Sequence, residues 1–327
     1  MPSRQVIRTL IPGVVLLLGV STMAAQTTPP RRAHHALAYD ANRQRVLLTG
    51  GSTPTDGGRN FTFFNDLWEF DGTRWSALPS SGERLSGMRL AFDSKLGRLF
   101  SFGGFQGSGS VADLRVLEDN AWQTLGRHPA MAAAEPGFVY NATRGRFVAF
   151  GGSAGRGQVH GDTWEYDGTH WTKFAGSSPP ARQSPAMVYD AKRGRTVLFG
   201  GLGAGGGQRP PSLGDTWEFD GKAWTQRQGS GPSARHDPGV TYDTKRGLVI
   251  LFGGAGRDGF KGDTWSWDGS EWKRLATTGP APRAMGYLAY DQHRDRVVLF
   301  GGRKGYPNGD LNDTWEWDGT TWKRVSR

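Results

Sequence analysis

The sequence predicts an all-β fold, a six-bladed β-propeller of four-stranded antiparallel blades. First, a Gly-Gly pair closes an apolar run six times, at Gly50-Gly51, Gly103-Gly104, Gly151-Gly152, Gly200-Gly201, Gly253-Gly254 and Gly301-Gly302, spaced 53, 48, 49, 53 and 48 residues apart. A period near fifty, held over almost the whole chain, marks a repeat architecture. Second, each unit carries a further signature downstream, Asp66-Leu67-Trp68-Glu69-Phe70-Asp71-Gly72-Thr73-Arg74-Trp75 in the first and Asp313-Thr314-Trp315-Glu316-Trp317-Asp318-Gly319-Thr320-Thr321-Trp322 in the last. Third, four strand-like segments fit between successive units, and a ring of such sheets is how β-repeats protect their edges.

The elements of one unit follow in order, taking the fourth. Residues 186–189 form a short apolar strand A, residues 190–194 a polar turn, and residues 195–199 a second apolar strand B that Gly200-Gly201 stops. A Gly/Pro-rich loop over residues 202–214 leads to strand C at 216–219, the Asp220-Gly221 turn and strand D at 222–227. The unbroken apolar character of A and B means that both their faces are covered, as when sheets pack face to face. Asp-Gly is a preferred pair for a two-residue type I′ hairpin, in which both positions need φ > 0. Centring that turn on Asp71-Gly72 sets Trp68 opposite Trp75, and likewise Trp164 and Trp171, Trp217 and Trp224, Trp265 and Trp272, and Trp315 and Trp322. In the second unit Asp119-Asn120 replaces Asp-Gly, and Arg115 stands opposite Trp122. The blades are expected at about 31–79, 80–126, 127–176, 177–229, 230–277 and 278–327, each from contiguous sequence, so that the ring closes without strand exchange.

The double glycine after strand B and the aromatic C–D hairpin ending in Trp resemble the repeat of the kelch family, over roughly residues 31–326. The resemblance implies a propeller. It leaves function open, because kelch propellers include protein-binding modules, carbohydrate enzymes and oxidases. The radical-copper oxidases of that family need a cysteine, and this chain has none. For the same reason there is no disulfide framework and no thiolate metal site.

Residues 1–24 read as a signal peptide. Arg4 and Arg8 form the charged start, residues 10–20 the apolar core, and Thr22 and Ala24 the small cleavage positions, with residues 25–30 a short linker. Eleven or so apolar residues fall short of the ~20 that span a bilayer. The expectation is therefore export to the periplasm or outside the cell, with no membrane attachment after cleavage. The formal charge of +10 drops to +8 without Arg4 and Arg8, and its cations lie scattered among turns with no dense run, which excludes a nucleic-acid reading. Of thirteen tryptophans, eleven occupy the two repeat positions, so most aromatic content belongs to the scaffold.

The A–B and C–D turns share one face and are nearly alike in all units, which points to turn stabilisation. The D–A and B–C loops share the other face and differ. There, seven residues before each Tyr-Asp pair, stand Arg32, Arg182, Arg235 and Arg283, with Arg84 one place off in unit two and Ala133 in unit three. His236 follows Arg235, and His34-His35 lie just after Arg32. Convergent arginines would face an anion such as a carboxylate or an acidic peptide, and some kelch proteins grip acidic peptides with arginines of this segment. The second reading is structural, because Asp66, Asp113, Asp162, Asp215, Asp263 and Asp313 stand two residues before the first tryptophan position and can neutralise them. Arg89 lies inside strand A where other units have Ala36, Gly137, Ala186, Gly239 and Tyr287; a charge there must be paired or reach the channel. No His-rich pair has metal-ligand spacing, no calcium loop appears, and no cofactor motif is present. The expected function is an exported, non-catalytic, monomeric binding module for a protein, an acidic peptide or an anionic carbohydrate, with Arg32, Arg84, Arg89, Arg182, Arg235, His236 and Arg283 as its ligand contacts. The alternative is a carbohydrate-active enzyme of the sugar mutarotase or epimerase type, for which no catalytic residue can be named.

Overall fold

A computed structural model describes residues 27–205 and 210–326. The leader expected at residues 1–24 lies outside the described residues. Strands A to D of blade one are Ala36–Asp40, Arg45–Thr49, Leu67–Phe70 and Trp75–Leu78, hydrogen-bonded in the order A-B-C-D. The same order recurs in all six blades, whose inner strands are Ala36–Asp40, Arg89–Asp93, Gly137–Asn141, Ala186–Asp190, Gly239–Asp243 and Tyr287–Asp291. In blade four, Arg182–Gln183 adds a short extra strand to a lengthened strand B. One 3₁₀ turn, Asp56–Gly58, is the only helical segment among the described residues. The molecule is a six-bladed β-propeller.

Each inner strand packs beside the inner strands of its two neighbours, and that of blade six lies against that of blade one. The ring closes without strand exchange, because the last strand, Trp322–Ser326, pairs with Thr314–Trp317 of its own blade. Between sheets the apolar faces interdigitate. Across the closure, Val46, Leu48, Trp68, Phe70 and Trp75 of blade one pack with Val298 and Phe300 of blade six.

The double glycines are required by this packing. Gly200 and Gly201 have φ of +63° and +109°, and a Cβ on Gly200 would lie 2.5 Å from the Arg235 carbonyl oxygen of blade five. That close approach lets the Gly201 N–H donate to the same carbonyl at 2.9 Å. Equivalent bonds run from Gly51 to Leu85, Gly152 to Arg182, Gly254 to Arg283, and Gly302 back to Arg32.

The C–D hairpins differ from the sequence expectation. Trp75 pairs with Phe70 and Ala77 with Trp68, so Trp68 and Trp75 are not opposite one another, and the loop holds four residues, 71–74. The register is the same at Tyr166–Trp171, Phe219–Trp224, Trp267–Trp272 and Trp317–Trp322. The cause is an Asx turn: Asp71 Oδ1 accepts the N–H groups of Thr73 at 2.7 Å and Arg74 at 2.9 Å, which favours a longer loop than type I′. Gly72 then has φ +102°, and a Cβ there would collide with the guanidinium of Arg294, which reaches over from the A–B turn of blade six. The two-residue hairpin occurs instead in blade two, where Asp119 and Asn120 have φ of +48° and +65°. Trp122 there faces Leu117, and Arg115 faces Thr124.

Candidate functional site

The four repeated arginines do not line an opening. Arg32, Arg182, Arg235 and Arg283 are 0–2% exposed. Arg32 forks onto Asp66 with two bonds of 2.6 Å and donates to the carbonyl of Gly50 at 2.9 Å and of Pro30 at 3.0 Å. Arg182, Arg235 and Arg283 repeat this on Asp215, Asp263 and Asp313. The same aspartates accept the indole N–H groups of Trp68, Trp217, Trp265 and Trp315 at 2.7–2.8 Å. The hydrogen bonds these guanidinium groups donate all stay within their own blades, tying the ends of strands A, B and C, so the expectation that they converge on a ligand is corrected. Despite partial burial, which opposes it, the arginine and indole bonds hold Asp215, Asp263 and Asp313 below the ordinary carboxylate range.

Blade two meets the same need differently. Leu85 occupies the arginine position, and Arg115, standing where other units have the first tryptophan, turns back onto Asp113 at 2.9 Å. Arg84 is exposed and reaches only the Phe63 carbonyl, at 3.4 Å. His236 lies 3.1 Å from Ser212 Oγ through its Nδ1 and sits in a lateral pocket with Pro211, Ser212 and Arg257. Neither joins the channel centre.

What does converge there is the position two residues after each arginine. His34, Gly87, Glu135, Ser184, Asp237 and Met285 are equivalent in the six units, and all have positive φ, between 53° and 69°. Their backbones form a chain of bonds around the axis: Gly87 N–H to His34 O at 2.8 Å, Glu135 to Gly87 at 2.7 Å, Ser184 to Glu135 at 3.0 Å, Asp237 to Ser184 at 3.1 Å and Met285 to Asp237 at 2.9 Å. Left-handed geometry costs about 1–2 kcal/mol for each non-glycine residue, and strain of this kind collects at functional positions. Here it turns each D–A segment sharply into strand A.

These side chains build a charged neck. His34 Nδ1 is 2.7 Å from Glu135 Oε1, and Ser184 donates a short bond to Glu135 Oε2. Gly87, lying between blades one and three, leaves the room: a Cβ there would sit 2.9 Å from Glu135 Cγ. Asp237 is 3% exposed, and its Oδ1 has no hydrogen-bond partner among the described residues. Arg89 of blade two donates to Tyr287 OH of blade six at 3.0 Å, its guanidinium carbon 4.5 Å from the ring centre. The two strand-A oddities of the sequence are thus partners across the channel.

Burial would raise Glu135, but the adjacent His34, the Ser184 bond and Arg89 hold it down at about 2. Burial would likewise lower His34, yet the Glu135 and Asp237 carboxylates outweigh it and raise its pKa. Asp237 is pushed up by burial and by the charge of Glu135. His35, buried and close to Arg32 and His34, falls well below the ordinary histidine value. Beside the neck, His35, Arg89 and Tyr287 border a cavity of about 80 Å³ floored by Phe138 and Met187. Beyond it the channel widens to about 330 Å³ toward the A–B turns, walled by apolar side chains and the ring of Tyr39, Phe92, Tyr140, Tyr189, Tyr242 and Tyr290.

Sequence reasoning reached Arg89, Tyr287 and His34 but missed Glu135, Ser184 and Asp237. The available signal was the repeat register itself, because the position two after the arginine is chemically different in every unit.

No known family profile matches the chain. Over an alignment of 158 positions that covers 43% of this chain, the sequence is 30% identical to part of the dynein alpha chain of the flagellar outer arm of Chlamydomonas reinhardtii. The similarity covers 3% of that protein, so the chain spans only a small fraction of its length.

Proposed function

We propose that this chain is an exported, non-catalytic binding module on a kelch-type propeller, and that it takes an anionic ligand, an acidic sugar or a carboxylate-bearing peptide, at the neck. The observation that carries this reading is the state of Arg89. Its acceptors are a phenol and the Met88 carbonyl, both neutral, whereas the four repeated arginines are already forked onto aspartates. Although its charge acts on Glu135 and Asp237, a guanidinium whose hydrogen bonds go only to neutral groups keeps donors to fork onto an incoming carboxylate. The mutarotase alternative is not adopted, since a Glu135 held ionised at about 2 is a weak general base at neutral pH.

Thermal shift of the purified protein against acidic sugars and acidic peptides tests the reading. A ligand at a hundred times its Kd adds about 2.7 kcal/mol of stability. Arg89→Ala should abolish that shift, and Arg235→Ala should leave it intact while lowering the melting temperature. A shift that survives Arg89→Ala would remove the neck as the binding site.

A further inference from the structure

We propose that His34 Nδ1, one carboxylate oxygen of Glu135 and one of Asp237 form a binding site for a single transition-metal dication of the zinc class at the neck of the propeller. The three donor atoms lie within 4.8 Å of one another. Ligands held at about 2.0–2.2 Å by a tetrahedral zinc stand ~3.4 Å apart, so small side-chain rotations complete the set. The backbone beneath them is held by the chain of hydrogen bonds and by its left-handed conformations, which fixes the three Cα positions.

The independent observation is Asp237. It is more than nine-tenths buried, and its Oδ1 meets no donor among the described residues. An ionised carboxylate in that state is costly unless a cation meets it. Arg89 does not supply the bond, because its donated bonds go to Tyr287 and Met88. Once the imidazole gives up its proton to ligate, Arg89 alone faces the two carboxylates, and one negative charge is left for the cation to meet.

The donor types select the ion. One imidazole with two carboxylates suits zinc-class dications, whereas magnesium and calcium prefer all-oxygen sets. Ser184 serves as an outer partner, its hydroxyl bonded to the Glu135 oxygen that faces away from His34, which orients the ligand. The His34 and Glu135 side chains keep 16% and 18% of their surface exposed, enough for the ion to enter. Three protein ligands leave a fourth position open to water or to a ligand group. With the imidazole deprotonated, a bound dication leaves the neck net positive, but the site stands whether or not an anion follows.

The test uses the purified protein alone, stripped with chelator and titrated with Zn²⁺ by calorimetry and with Co²⁺ by visible absorption. One equivalent should bind, raise the melting temperature and release protons, because the imidazole must be deprotonated to ligate. Mg²⁺ should do neither. Asp237→Asn and Glu135→Gln should each weaken Zn²⁺ at least tenfold and remove the thermal shift, and either folded variant suffices. No saturable Zn²⁺ binding by the parent protein would overturn the proposal. So would one-equivalent binding of unchanged affinity in a folded variant, since the ion would then sit elsewhere.

Discussion

An indole N–H is a single donor, and among the described residues four strand-D indoles reach out of their own blade, as does that of Trp267 in strand C, which donates to Glu218 of blade four at 2.9 Å. Trp75 donates to Thr314 Oγ1 at 2.8 Å, Trp224 to Thr163 at 2.9 Å, Trp272 to Thr216 at 2.9 Å and Trp322 to Thr264 at 2.8 Å, each from strand D to strand C of the preceding blade. Blades one and two have Leu67 and Leu114 at the threonine position, and the Trp122 N–H facing Leu67 is buried without a partner among the described residues. Thr216→Val keeps the shape but removes the acceptor of the buried Trp272 indole. It should cost about 1–3 kcal/mol, the penalty for an unsatisfied buried donor, measured by urea unfolding. No loss would mean that the indole is solvated in the native state. Arg235→Ala leaves Asp263 without its fork and should cost about 3–5 kcal/mol, which makes stability, and not ligand affinity, the property that this arginine serves.

At the scale of the element, the C–D hairpin shows why glycine stands where it does. Gly72 and Gly168 have the same φ of +102°, but a Cβ would collide with Arg294 at the first and meet nothing within 4 Å at the second. Gly168→Ala should therefore cost only the left-handed penalty of about 1–2 kcal/mol. Gly72→Ala should cost more, the difference being the worth of Arg294 lying across the blade boundary. Equal losses in thermal melts would show that the arginine contact contributes nothing. The two-residue turn expected from Asp-Gly failed for a local reason, since the Asp side chain caps two N–H groups and lengthens the loop. Hairpin existence was legible in the pattern, but register was not, because alternating aromatic residues fit both pairings.

Across the whole molecule, Asp215, Asp263 and Asp313 form an acid-sensitive set. Their folded pKa values lie below the unfolded value of 3.8, so the stability they contribute is full above that value and is lost as pH falls through the depressed folded values. Melting temperature should therefore drop steeply below about pH 4. Asp313→Asn should flatten that slope while lowering stability at neutral pH, and an unchanged slope would remove Asp313 from the set.

The blade count, the strand order and the face bearing the unequal loops were all readable in the chain, because each follows from period, from alternation and from where the glycines fall. Arg89 and Tyr287 were visible as misfits in a repeated strand. Only the closed ring decided the rest. It buried Arg32, Arg182, Arg235 and Arg283 against their aspartates, and it brought His34, Glu135 and Asp237, about a hundred residues apart along the chain, within 4.8 Å of one another. The physical reason is rotation. Repeat spacing specifies which positions are equivalent, but which equivalent side chains meet at the axis depends on the six-fold turn and on the left-handed corner that turns each D–A segment into strand A.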